Sequence, residues 1–151
     1  MKAACRCFSL SSRSEANGCV RTGEWRKVET IGAYLGLHSH LTPWGPYYLS
    51  LAAGARKDYP RAVWMLELAL KKAPQEGLFH YQLGRIYWEM EDEASALKSL
   101  KTASDMNPSL TDAHWVMGQI ALQRGELGEA ERQLVRALDK NFRHWPALMA
   151  M

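Results

Sequence analysis

The sequence predicts an all-α chain, a solenoid of stacked helix-turn-helix units, and three observations point there. The first is a repeat of 34 residues: Ser50, Gly84 and Gly118 are spaced by it, as are Ala62, Ala96 and Ala130, then Leu66, Leu100 and Leu134, then Ala69, Ala103 and Ala137. A fixed period in this range, with helical patterning inside each unit, marks an array in which no unit can bury its apolar face alone. The second is that no stretch shows strand-like alternation of any length. The third is composition: 151 residues, 47% of them hydrophobic, suffice for a core and are too apolar for disorder.

The clearest unit spans residues 77–110, with Leu83-Gly84, Tyr87, Ala96, Ala103 and Pro108 in place. A small residue in the first helix, alanines in the second and a closing proline resemble the tetratricopeptide repeat. The resemblance implies a right-handed superhelix whose inner face is lined mainly by first helices and binds protein segments.

In chain order, residues 1–12 read as a loosely ordered leader. Residues 13–42 read as a degenerate first repeat, because Ala16 falls one period before Ser50 and Gly23-Glu24-Trp25 aligns with Gly125-Glu126-Leu127. Its second helix, from Glu24 to about Leu37, carries Gly32 and Gly36, each costing about 1 kcal/mol against alanine in a helix interior, which predicts the loosest unit. Residues 43–76 keep Leu49, Ser50, Ala62, Ala69 and Pro74, with Ala53 where the family prefers tyrosine. Residues 111–144 keep Met117, Gly118, Gly125, Ala130 and Ala137, with Phe142 in place of the proline. Residues 145–151 read as the start of a further helix.

Local chemistry sets the expected boundaries. Asp58-Tyr59-Pro60 places proline in a first helical turn, and Ser109 to Asp112 reads as a capping box. Pro74 and Pro108 should stop the second helices. Two antiparallel helices approach closely only where one presents a small residue, so Gly84 and Gly118 are expected contact points for the alanines of the second helices.

Composition narrows the function. The net charge is +3, with six basic and three acidic residues up to Thr42 and three against five in 77–110. No clustered basic stripe of the kind that tracks nucleic acid is present, so no nucleic-acid partner is expected. No run approaches 18 apolar residues, so no membrane span is expected either. The three cysteines, Cys5, Cys7 and Cys19, all precede Val20; the repeats owe nothing to disulfides, and a reducing cytoplasm is the expected location. Their spacing is poor for zinc, which wants four ligands in closer pairs. His38 and His40, and His80 and His114, are read as packing or surface residues. No metal or other cofactor is expected.

Catalytic signatures are missing from the sequence: no Gly-rich phosphate loop, no His-Glu-x-x-His, no Gly-x-Ser-x-Gly. The acidic run Glu89 and Glu91 to Glu93 is placed at a turn between helices, where solvation accounts for it. A non-enzymatic adaptor is therefore expected. The family's groove-facing positions fall here on Trp44, Tyr47 and Leu51, then Leu78, Tyr81, Arg85 and Trp88, then Asp112, Trp115, Gln119 and Leu122. Tyr81, Arg85 and Trp88 share a helix face by spacing alone. Aromatics and arginine dominate binding hot spots because they combine large contact area with few rotors. Trp115 fits either groove or core.

The family's clamp for chaperone carboxylates is absent, since Tyr47, Leu51, Gln82, Asp112 and Val116 occupy its places. An extended or helical partner segment with apolar anchors, and an acidic group for Arg85, is the expected ligand. Trp145, Leu148, Met149 and Met151 would leave an apolar end, an expected surface for self-association. The alternative is a non-catalytic docking or spacer portion of a larger enzyme or of a secretion or assembly machine.

Overall fold

A computed structural model describes residues 12–38 and 42–139. Eight α-helices follow one another among these residues: α1 (Ser12–Thr22), α2 (Trp25–His38), α3 (Trp44–Ala55), α4 (Tyr59–Lys72), α5 (Gly77–Glu89), α6 (Glu93–Met106), α7 (Thr111–Gln123) and α8 (Leu127–Asp139). They form two compact units divided at Pro74, α1–α4 and α5–α8. Within each, consecutive helices pack as helix-turn-helix pairs: α2 on α1 and α3, and α3 on α4, in the first, then α6 on α5 and α7, and α7 on α8, in the second.

The periodic residues are what the pairs bury. Ala62, Ala96, Ala130, Leu66, Leu100, Leu134, Ala69, Ala103 and Ala137 are all between 0% and 2% exposed, and Ser50, Gly84 and Gly118 are buried too. The pattern reaches α1 and α2, where Ala16 and Val28, one period before Ser50 and Ala62, are also fully buried. A methyl group placed on Gly84 would lie 2.7 Å from Leu100 Cγ and 3.2 Å from the Ala96 carbonyl oxygen. At Gly118 the same addition would lie 2.9 Å from Leu134 Cγ. The glycines thus receive the leucines of the second helices rather than their alanines, whose part at Gly84 is to bring the backbone within reach.

The glycines of α2 lie where it comes close to α3. Gly32 stands in the register of Leu66, Leu100 and Leu134. A methyl on it would meet the Gly45 carbonyl oxygen and Leu49 at 3.1 Å, and one on Gly45 would meet Gly36 N at 2.7 Å. Helices α2 and α3 therefore meet backbone to backbone, a contact that any side chain at Gly45 would obstruct.

All four helix-turn-helix turns close in the same way. Glu24 N–H donates to Cys19 O, Asp58 N–H to Ala53 O, Asp92 N–H to Tyr87 O and Glu126 N–H to Ala121 O, at 2.9–3.0 Å. The residue before each, Gly23, Lys57, Glu91 or Gly125, has positive φ and donates to the carbonyl three residues back. This is the Schellman closure of a helix C-terminus, with its left-handed residue after the C-cap. The aspartates then start the next helix: Asp58 accepts from Arg61 N–H at 3.4 Å and Asp92 from Ser95 N–H at 3.1 Å. Pro60 sits in the first turn of α4, where its missing N–H costs nothing.

At the other ends, α4 stops at Lys72 and α6 at Met106, two residues before Pro74 and Pro108. The C-caps Ala73 and Asn107 are driven out of the helical region, to φ −139° and −134°, as residues before proline are. The capping box expected at Ser109 does not form. Helix α7 starts at Thr111 from Leu110 with no side-chain cap, because Ser109 lies in a turn that Asn107 closes by accepting from Ser109 N–H at 3.1 Å.

Candidate functional site

Positions expected to face a partner divide three to the first unit and eight to the second. In the first, Trp44, Tyr47 and Leu51 lie along α3 at helical spacing. The Trp44 and Tyr47 rings meet edge to face at 5.6 Å and 87°, and Tyr47 meets Tyr48 at 5.3 Å. Tyr47 is only 6% exposed, so it supports this face more than it projects from it.

Helix α1 supplies the other wall. The Arg13 guanidinium stands 3.6 Å above the Trp44 ring centroid, and the Tyr48 hydroxyl bonds to Asn17 Oδ1 at 2.9 Å and to the Arg13 carbonyl at 3.2 Å. Burial raises the Tyr48 pKa above its ordinary value, partly offset by the positive charge of Arg13. Between α1 and α3 lies a recess of about 760 Å³ lined by Arg13, Ser14, Asn17, Val20, Arg21, Tyr47 and Leu51. None of the α1 residues was among the sequence-expected site. The spacing of Arg13, Asn17 and Arg21, four and four, was the signal that could have found them.

In the second unit α5 carries Leu78, Tyr81, Arg85 and Trp88, and α7 carries Asp112, Trp115, Gln119 and Leu122. Tyr81 is 8% exposed and belongs to the core with Ala96, Leu100 and Ile120; Leu78, Trp88 and Trp115 are half-buried against that core. Trp115 also packs, with Leu122, on Leu134 and Ala137, so it joins core and surface. The Arg85 guanidinium lies 6.0 Å from the Tyr81 ring centroid and 3.8 Å from Glu89. Burial raises the Tyr81 pKa; the Arg85 charge opposes the rise and Asp112 adds to it. Asp112 is exposed, and Gln119 is half-buried.

Trp88 Nε1 donates to Gln123 Oε1 at 3.3 Å, a link from α5 to α7 that fixes the indole. The two residues line a recess of about 640 Å³ with Glu89, Glu91 and Glu93. Glu93 is held by Arg124 at 2.6 Å. A further recess of about 400 Å³ lies among α6, α7 and α8, with an apolar floor that includes Leu97, Met117 and Ile120, and rims of both charges. There His114 Nδ1 bonds to Gln133 Oε1 at 2.9 Å, and Gln133 Nε2 donates to Glu129 at 2.6 Å, so His114 links α7 to α8.

No group of three or more metal-ligating side chains is brought together among the described residues. The Cys19 thiol is free and half-buried. Cys5, Cys7 and His40, and the expected association surface of Trp145, Leu148, Met149 and Met151, lie outside the described residues. No helix of the described residues is long and apolar enough to cross a membrane.

Comparison with known proteins accords with this architecture. A tetratricopeptide repeat family model matches residues 81–144. Tetratricopeptide repeat protein 37 of Xenopus laevis is 30% identical over 86 residues, which are 54% of this chain and 5% of that protein, so the chain spans about a twentieth of this relative. Among solved structures, TTC0263, a thermophilic TPR protein of Thermus thermophilus, superposes with a TM-score of 0.79 at 21% identity, covering 89% of this chain and 74% of the other. YrrB, described as a TPR protein with an unusual peptide-binding site, gives 0.66 at 23% identity, covering 93% and 73%.

Proposed function

Because the chain belongs to the tetratricopeptide repeat family, we propose that it is a non-catalytic interaction module that holds a segment of a partner protein against its first helices. The observation that carries this reading is the pair Trp88 and Trp115. Both indoles are half-buried on the core, they stand on successive first helices, and the bond to Gln123 orients one of them. A large aromatic anchored from below offers contact area without the entropy cost of ordering it. Arg85 adds a cation beside them, and Leu122 and Gln119 extend the same face; Trp44, Tyr47 and Leu51 are its counterpart in the first unit. YrrB's description as a peptide binder supports this choice of ligand.

Selection of peptides from a random display library on the whole chain tests it. Peptides chosen by the native protein should bind at least tenfold more weakly to an Arg85→Ala, Trp88→Ala variant of unchanged helicity. Equal binding would place recognition elsewhere. We favour the cytoplasm as its location, consistent with the free Cys19 thiol. A second reading, a docking or spacer part of a larger machine, is favoured by the relative of which the matched stretch is a twentieth. A longer native open reading frame with a catalytic domain would decide for it.

A further inference from the structure

We propose that the recess among α6, α7 and α8 binds a short free peptide, about three residues long with apolar side chains, holding its carboxylate at one end and its ammonium at the other. This goes beyond the segment-binding reading, because the recess lies on the other side of α7. The partner-facing positions Asp112, Trp115, Gln119 and Leu122 form one stripe of that helix, and His114, Met117, Ala121 and Arg124, which line the recess, form another at the same spacing. The two stripes are offset by two residues, about 200° around the helix axis.

The recess is preorganised. Its floor is apolar and buried, with Met117 8%, Ile120 0% and Ala121 4% exposed, and its volume of about 400 Å³ is that of a small-molecule site. Near the start of α7, His114 Nδ1 meets Gln133 Oε1 at 2.9 Å. Because the Gln133 amide nitrogen donates to Glu129, that oxygen accepts and Nδ1 carries the proton. Near the end of α7, Arg124 holds Glu93 of α6 at 2.6 Å. These bonds tie α7 to α8 and to α6, so the walls stand in place before a ligand arrives.

Charge along the recess is polarised. Helix α7 starts beside the later turns of α8 and ends at the starts of α6 and α8, as its bonds from His114 to Gln133, Arg124 to Glu93 and Ala121 to Glu126 show. The end near His114 therefore carries Lys101, Arg136 and Asp105, two cations to one carboxylate, and the end near Arg124 carries Glu126 and Glu129. Arg124 is already held by Glu93, and Glu129 by Gln133 and Arg132, which leaves Glu126 for an ammonium. Lys101 and Arg136 stand opposite it for a carboxylate. Along α8, Arg136 lies about 10 Å from Glu129 and about 15 Å from Glu126. Three extended residues span about 10 Å, and the arginine and glutamate side chains cover the rest.

The fold does not require these side chains. Two periods earlier, the positions of Lys101, Asp105, His114, Gln133 and Arg136 are held by Ala33, Leu37, Pro46, Met65 and Leu68. Helices α2, α3 and α4 pack in the same order with those apolar residues. The polar set of the second unit therefore answers to something other than packing.

The test is a two-dimensional NMR titration of the isotope-labelled whole chain with Ala-Leu-Ala. Acetyl-Ala-Leu-Ala, Ala-Leu-Ala-amide and the doubly blocked acetyl-Lys-Ala-Leu-Ala-Glu-amide, which mimics an internal segment of a partner, serve as comparators. Ala-Leu-Ala should give saturable shifts confined to the lining residues of α6, α7 and α8, and blocking either terminus should weaken binding at least tenfold. Arg136→Gln and Lys101→Gln, at exposed positions, should each weaken Ala-Leu-Ala, and amidation should then matter little further. Glu126→Gln should do the same for acetylation. This matching of each variant to one terminus separates charge recognition from damage to the fold, which would weaken every peptide alike. No saturable shift, equal binding of the blocked peptides, variants that bind as the native chain does, or the doubly blocked peptide binding as tightly would overturn the proposal. Trp88 and Arg85 lie outside this recess, so its failure leaves the display test of the segment-binding reading untouched.

Discussion

Lys57 and Glu91, one period apart, share a left-handed backbone, φ 61° and 63°, that Gly23 and Gly125 adopt at 74° in the equivalent turns. The fold demands the conformation of all four residues, and only two of them are glycine. An L-residue there carries a steric cost of about 1–2 kcal/mol, reduced by the extra freedom that glycine brings to the unfolded chain. Lys57→Gly and Glu91→Gly should each stabilise the protein by about 0.5–1 kcal/mol, whereas Gly125→Ala should destabilise it by about 1 kcal/mol. Urea denaturation reads both signs. Loss of stability in the glycine variants would show that the Lys57 or Glu91 side chain contributes more than its backbone costs.

Gly84 and Leu100 define the second prediction. Since a methyl at Gly84 already meets Leu100 Cγ at 2.7 Å, Gly84→Leu should cost about 1–3 kcal/mol by overpacking. Combining it with Leu100→Ala should recover part of that loss, a coupling that a double-mutant cycle measures. Gly36, where an added methyl meets nothing within 4 Å, should behave oppositely: Gly36→Ala should gain up to about 1 kcal/mol of helix propensity. Strict additivity of the two changes at 84 and 100 would sink the pairing.

Tyr48 ties α1 to α3 through Asn17 and the Arg13 carbonyl. Tyr48→Phe keeps the buried ring and removes both hydrogen bonds, a loss of about 1 kcal/mol. Hydrogen exchange should quicken in α1 before α4. Uniform protection across the first unit would show that the ring alone holds α1.

Tyr81 and Asp92 are two of the groups that shape the pH profile. Burial raises the folded pKa of Tyr81, so its contribution to stability is complete below the unfolded value near 10 and lost as pH rises through the folded one. Tyr81→Phe should flatten the alkaline limb of the stability curve. Asp92 is the reverse case: the bonds from Ser95 lower its pKa, so its contribution is present above the unfolded value and lost as pH falls through the folded one. Asp92→Asn, which keeps an acceptor for the cap without the titration, should flatten the acid limb. Profiles unchanged by both substitutions would remove the assignment.

The repeats were legible because their signal is steric and recurs: the buried alanines and leucines of α4, α6 and α8 stand at the spacing that revealed them. The partner of each glycine was not legible, since a period shows that a small residue is needed without showing that Leu100 fills the space. Ser109 was misread as a cap because the competing turn depends on Asn107, two residues outside the motif. The family's pattern placed Tyr47 and Tyr81 on the α3 and α5 faces but could not show how deeply they sink. The α1 wall escaped notice because Arg13 and Asn17, one period before Tyr47 and Leu51, belong to the unit whose repeat pattern has decayed furthest, and the groove positions were not carried that far.

The four turns have a consequence for how such a chain can be edited. Each is closed by its own backbone bonds, donated from residues that recur every 34 positions, so each is a joint with the same fitting. If residues 91–124 were excised, Gly125 and Glu126 would follow Met90, and Glu126 N–H would find Tyr87 O where it now finds Ala121 O. Helix α5 would then meet α8, with Gly84 receiving Leu134 in place of Leu100. The helices are in this sense interchangeable parts, and the length of the array can change by whole cassettes without a new joint being invented.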